Sequence, residues 1–122
     1  MYLFYFQKLD VWKNSRKLVR DVYIVTQSFP DDEKYNLVSQ LRRASISVPS
    51  NIAEGIARNS IRDQIRFTRI SFGSLMELLN LLILCMDLEY LKENQFDSLQ
   101  NQVEIIARQL NALNKSRQQS FN

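Results

Sequence analysis

Six arginines supply the first chemical suggestion in this chain: Arg42, Arg43, Arg58, Arg62, Arg66 and Arg69. Guanidinium groups meet phosphate oxygens through charge-assisted, often bidentate hydrogen bonds, so the set points to RNA or DNA. On an ideal helix Arg62, Arg66 and Arg69 fall within about 60° and form one stripe. The competing account is a solvated face, with Arg66 or Arg69 paired to carboxylates of a neighbouring helix. A second constellation, Gln40, Arg43, Ser47, Asn51, Glu54 and Arg58, recurs at intervals of three and four and lines one side of a helix. There Glu54 as general base and Arg58 as oxyanion clamp would suit phosphodiester hydrolysis. However, the chain has no histidine, and no Ser-based dyad or second clustered carboxylate stands beside Glu54. Hydrogen bonding between helices or subunits, eased by the small residues Ala44, Ser47, Ala53 and Gly55, is the better account, and a non-enzymatic protein is expected.

The elements that must position these residues are helices. With two glycines, two prolines and no β-branched runs bounded by turn residues, the 122 residues read as one all-α domain over 1–122. The 45% hydrophobic content describes a folded chain. Its net charge of +3 is uneven, because the excess of basic residues lies in 1–26 and 42–69, whereas 70–122 is acidic on balance. One cysteine, Cys85, rules out a disulfide within the chain, and without histidine neither a metal nor a cofactor is expected. The opening Met-Tyr-Leu-Phe-Tyr-Phe is too short for a secretory apolar region. The apolar run from Leu75 to Leu88 falls short of the roughly 20 residues of a membrane span. A cytoplasmic protein, with no membrane contact, follows as the expectation.

Apolar spacing predicts helices at about 10–28, 33–57, 61–90 and 94–114. Asp10 caps the first, which stops at Pro30, and Asp31, Asp32 and Glu33 place negative charge at the start of the second. Pro49 interrupts the second helix at a cost of about 3 kcal/mol and predicts a kink near Ser45–Pro49. Ser60 and Asp63 form a capping box for the third helix, and Asn94 caps the fourth, which frays beyond 114. Short connections imply antiparallel neighbours and an up-down-up-down bundle. From Leu75 to Leu88 the third helix is apolar except at Glu77, Asn80 and Asp87, so apolar residues surround it. Three partner helices cover one broad face, which leaves Phe67, Ile70, Leu78, Leu81 and Leu84 for other copies of the protein.

The run QLRRASISVPSNIAEG over residues 40–55 is preceded by Leu9-Asp10-Val11-Trp12-Lys13 and Phe29-Pro30, and followed by Gly73-Ser74-Leu75-Met76-Glu77-Leu78. It resembles the four-helix bundle proteins named after the 23S ribosomal RNA intervening sequence, from about Leu9 to Leu113. The motif residues that carry the likeness are Gln40, Arg43, Ser47, Pro49, Asn51, Glu54 and Gly55. Ser71-Phe72 departs from the small pair common there, and the aromatic N-terminal arm is peculiar to this chain. The resemblance implies an antiparallel bundle assembled as a homo-oligomeric ring, a pentamer, with no established catalytic activity. A distant relative, the accessory protein of diversity-generating retroelements, is similar in fold and works with a reverse transcriptase and nucleic acid. That likeness implies, as an alternative, an adaptor ring with a protein partner.

Overall fold

The computed structural model describes residues 1–121, with side chains through Ser120; the apolar side chain of Phe121 in the polar tail lies outside that range. Four long helices and no strand are found among the described residues: α1 (Asp10–Thr26), α2 (Ser39–Ile56), α3 (Ile61–Asp87) and α4 (Glu93–Phe121). The all-α class expected from composition is the observed one. Each helix contributes to one apolar core, with Leu18 and Val22 from α1, Leu41 and Val48 from α2, Leu75 and Leu82 from α3, and Ile106 and Leu110 from α4.

The helix ends follow local chemistry. Thr26 closes α1, its hydroxyl donating back to the Val22 carbonyl at 2.8 Å. The segment expected to open the second helix is instead a 3₁₀ turn (Asp31–Glu33) and a π turn (Lys34–Val38) leading into α2. The wider turn lets Leu37 and Val38, adjacent in sequence, both enter the core. α2 continues as one helix through Pro49, and beside the missing amide the Asn51 side chain donates to the Ser47 carbonyl at 2.8 Å.

Ser60 caps α3 by accepting from the Asp63 amide at 3.1 Å. α3 ends at Asp87, earlier than expected, because Glu89 adopts φ 63° and the Tyr90 amide donates back to the Cys85 carbonyl at 2.9 Å. α4 starts one residue before Asn94. Its cap position is Lys92, whose amide donates to Gln95 Oε1 at 3.0 Å. It also runs on past 114, where the sequence suggested fraying, because Arg117 anchors its last turns to α3.

Contacts between neighbouring helices run in opposite directions. On α2 and α3, Ser47 meets Ser74 (hydroxyl oxygens 2.8 Å apart), Ser71 donates to the Val48 carbonyl at 2.9 Å, and Gly55 lies against Phe67. On α1 and α4, Asn14 donates to Gln109 at 3.1 Å, and Asp21 accepts from Gln102 at 2.9 Å. A Cβ on Gly55 would stand 2.9 Å from that of Phe67, so only glycine permits this approach of α2 to α3.

Burial within the chain corrects the reading of α3's circumference. Leu78 and Leu81 belong to the chain's own core, and Phe67, 7% exposed, is covered by α2. Ile70 (41%) and Leu84 (42%) do remain exposed, joined by Ile83 and Leu88. α3 as a whole, at 27 residues, is long and apolar enough to cross a membrane, which the Leu75–Leu88 run alone is not. Here its Leu75, Leu78, Leu82 and Cys85 are fully buried in the protein core. Cys85 is a small buried hydrophobe, and burial, followed by the charge of Glu33, pushes its thiol up to about 11.

Candidate nucleic-acid interface

The structure divides the six arginines. Arg42 is half-buried between α1 and α2; its Nε donates to Thr26 Oγ1 at 3.1 Å and its guanidinium lies 4.4 Å from the Tyr23 ring centroid. It serves as a clamp between helices, which corrects its place in the phosphate-binding set. Arg43, one residue on, is exposed beside Tyr35 and Lys34. Sixteen residues separate Arg42 from Arg58, roughly 24 Å of helical rise, so Arg42 and Arg43 cannot share a patch with the other four.

Arg58, Arg62, Arg66 and Arg69 stay together around the turn from α2 into α3, and all four are exposed. Arg58 and Arg66 both lie over Phe67, at 4.5 and 4.7 Å from its ring centroid. The aromatic ring holds two guanidinium groups in place while leaving their edges to solvent. Arg66 also pairs with Asp63 of its own helix at 3.7 Å, an exposed pair of small energetic weight. Among the described residues Arg62 and Arg69 have no carboxylate within ion-pair distance, so the neighbouring-helix partner weighed for Arg69 is not made.

Five carboxylates collect at the other end, while Glu54 and Asp63 lie among the arginines. The Tyr90 hydroxyl donates to Glu33 Oε2 at 3.2 Å and so joins the α1–α2 connection, with Asp31 and Asp32, to the α3–α4 turn, with Asp87 and Glu89. That hydrogen bond, aided by burial and by the charge of Glu33, raises the Tyr90 hydroxyl above its ordinary value. The molecule is therefore acidic on balance at one end and basic on balance at the other.

The second constellation is mostly internal. Ser47, Asn51 and Gly55 sit in the α2–α3 seam, Ser47 bonded to Ser74 and Asn51. Gln40 donates to Asn36 Oδ1 at 2.9 Å, within its own stretch of chain. Glu54 is exposed and makes no side-chain hydrogen bond among the described residues, and Arg58 is on Phe67, so the base-and-clamp pair weighed for hydrolysis is not assembled.

Sequence reasoning missed the basic side of α4. Arg117, only 9% exposed, donates through one nitrogen to the Gln64 carbonyl at 3.1 Å, to Asn114 Oδ1 at 3.1 Å and to Thr68 Oγ1. Burial pushes its guanidinium down from its usual value, opposed by Tyr5. Lys115, beside it, is exposed close to Arg69 across the α3–α4 groove. The signal for Lys115 was its spacing with Asn111, Asn114 and Gln118, which places all four on one helical face.

This is an all-α fold in which four helices share a core and one end carries exposed arginines. The chain belongs to the 23S rRNA-intervening sequence protein family, whose sequence model matches residues 7–112. It is similar in structure to a protein of unknown function from the S23 ribosomal protein family of Bacteroides thetaiotaomicron VPI-5482. That likeness has a TM-score of 0.78 at 24% identity and covers 86% of this chain and 98% of the other, which speaks for the fold. No curated protein matches.

Proposed function

We propose that this protein is a non-enzymatic bacterial RNA-binding protein that holds the phosphate backbone of a structured RNA on Arg58, Arg62, Arg66 and Arg69. One observation carries the reading: four exposed arginines at one end, two of them fixed over Phe67, opposite an acidic end. The family's description, which names the 23S rRNA intervening sequence, makes ribosomal RNA the first ligand to try.

The same reading takes the four helices in up-down-up-down order and several copies in a ring, a pentamer by family resemblance, in the cytoplasm and without metal or cofactor. The oppositely running helix contacts support the order. Exposed Ile70, Leu84 and Leu88 support a contact between copies on the outer face of α3.

The test is fluorescence anisotropy with a 23S rRNA fragment over a range of salt. Backbone binding predicts an affinity that falls steeply with salt. Arg62→Glu with Arg66→Glu should weaken it about tenfold or more on every sequence alike and reduce the salt slope by about two. Binding indifferent to salt, or unchanged in the double variant, counts against the reading.

A second reading, an adaptor ring for a protein partner, is favoured by a groove of about 340 Å³ between α1 and α2, lined by Trp12, Val19, Ile46 and Pro49. A partner that stays bound to the Arg62→Glu and Arg66→Glu variant would select it.

A further inference from the structure

Gly73 sits in the middle of α3, where helix propensity favours almost any other residue. Unlike Gly55, it has no packing reason: a Cβ there would meet nothing within 4 Å. It opens instead onto a groove of about 390 Å³ between α3 and α4. The groove's walls carry two cations, Arg69 and Lys115, and no carboxylate. Beneath it, Thr68 and Asn114 are held by Arg117 and by the Gln64 and Ile65 carbonyls, so this part of the groove is fixed before any ligand arrives. Asn111 and Gln118 line the same space, and their amides make no hydrogen bond among the described residues.

These groups match the parts of one kind of molecule. Two unpaired cations with no acid between them suit a phosphate. Two free amides, each with donors and an acceptor, suit the edge of a heterocyclic base. A glycine beside Phe72 lets a flat ring approach the helix closely. The volume is that of a small-molecule site. We propose that the α3–α4 groove at Gly73 binds a single nucleotide unit, its phosphate between Arg69 and Lys115 and its base over Gly73 within reach of Asn111 and Gln118. The site deepens the RNA-binding reading by giving it a pocket for one unstacked nucleotide. The same chemistry fits a free nucleotide.

The experiment is calorimetric titration of the full chain with adenosine 5′-monophosphate, with inorganic phosphate and with a short single-stranded RNA, repeated on Gly73→Leu and on Arg69→Gln with Lys115→Gln. Leucine fills the groove while favouring the helix, so Gly73→Leu should keep the light-scattering mass and melt no lower than the parent. It should lose the nucleotide at least tenfold, as should the double glutamine variant. Binding of the monophosphate as tight as that of the RNA assigns the site to free nucleotide, and tenfold tighter RNA assigns it to a strand.

Phosphate bound as well as nucleotide overturns the proposal, because the base then contributes nothing. Nucleotide loss in Gly73→Leu only together with a change in mass also overturns it, making the groove a contact between copies. If Gly73→Leu binds RNA and monophosphate like the parent, the groove fails while the arginine reading stands. If the parent binds monophosphate but no RNA, and Gly73→Leu loses it, the groove stands and the RNA reading fails.

Discussion

The seam between α2 and α3 and the groove between α3 and α4 each hold one of the chain's two glycines, in opposite surroundings. At Gly55 the helices approach so closely that an added Cβ collides with Phe67, and around it Ser47, Asn51, Ser71 and Ser74 bond to one another or to nearby backbone. At Gly73 there is open space, and the flanking Arg69, Asn111, Lys115 and Gln118 have no partner among the described residues. Polar residues already bonded within the fold are holding it together. Those left free are available to something else. The most distinctive motif in the sequence is therefore architectural, whereas the surface available for binding lies among residues of ordinary appearance.

The contrast is most easily broken at the seam. Gly55→Val forces a branched side chain into Phe67 and should lower unfolding free energy by about 3 kcal/mol in urea denaturation. A loss well under 1 kcal/mol would mean that α2 and α3 separate freely and that the seam is not a rigid unit. Ser71→Ala tests the polar side of the same contact. It removes the hydrogen bond to the Val48 carbonyl, which lies within α2's own ladder, so the expected loss is nearer 1 kcal/mol. No change there would leave steric fit as the whole of the seam's contribution.

Much of this architecture was legible from apolar spacing. Leu41, Val48 and Ile52 on α2, and Leu99, Val103, Ile106 and Leu110 on α4, are buried where the pattern placed them. Four features were not legible, each for a physical reason. The π turn before α2 depends on burying Leu37 and Val38 together, which a 3.6-residue period does not express. Phe67 pointed to other copies only if α2 stood at an ordinary distance, a condition Gly55 removes, and Leu78 and Leu81 are covered by the core that all four helices share. At the candidate site, Arg62 and Arg66 were found from spacing along one helix. The α3–α4 groove needs Arg69 and Lys115 brought together from two helices, and the four-residue repeat on α4 lay partly in a stretch whose polar composition suggested fraying. Arg42 was misplaced because its partners Tyr23 and Thr26 come from α1.

The finest test of the comparison substitutes alanine at both glycines. Replacing glycine by alanine inside a helix stabilises it by roughly 0.5–1 kcal/mol through backbone entropy, and this term is common to the two sites. At Gly73, where nothing lies within 4 Å, it acts alone, so Gly73→Ala should gain about that much, a rise of a few degrees in melting temperature. At Gly55 the same gain is opposed by the 2.9 Å contact with Phe67, so Gly55→Ala should show a net loss. The gap between the two variants then measures the close approach of α2 and α3 with propensity cancelled. A loss at Gly73 would mean that its space is already occupied in solution, and the melting curve's dependence on protein concentration would distinguish a second copy from a bound small molecule.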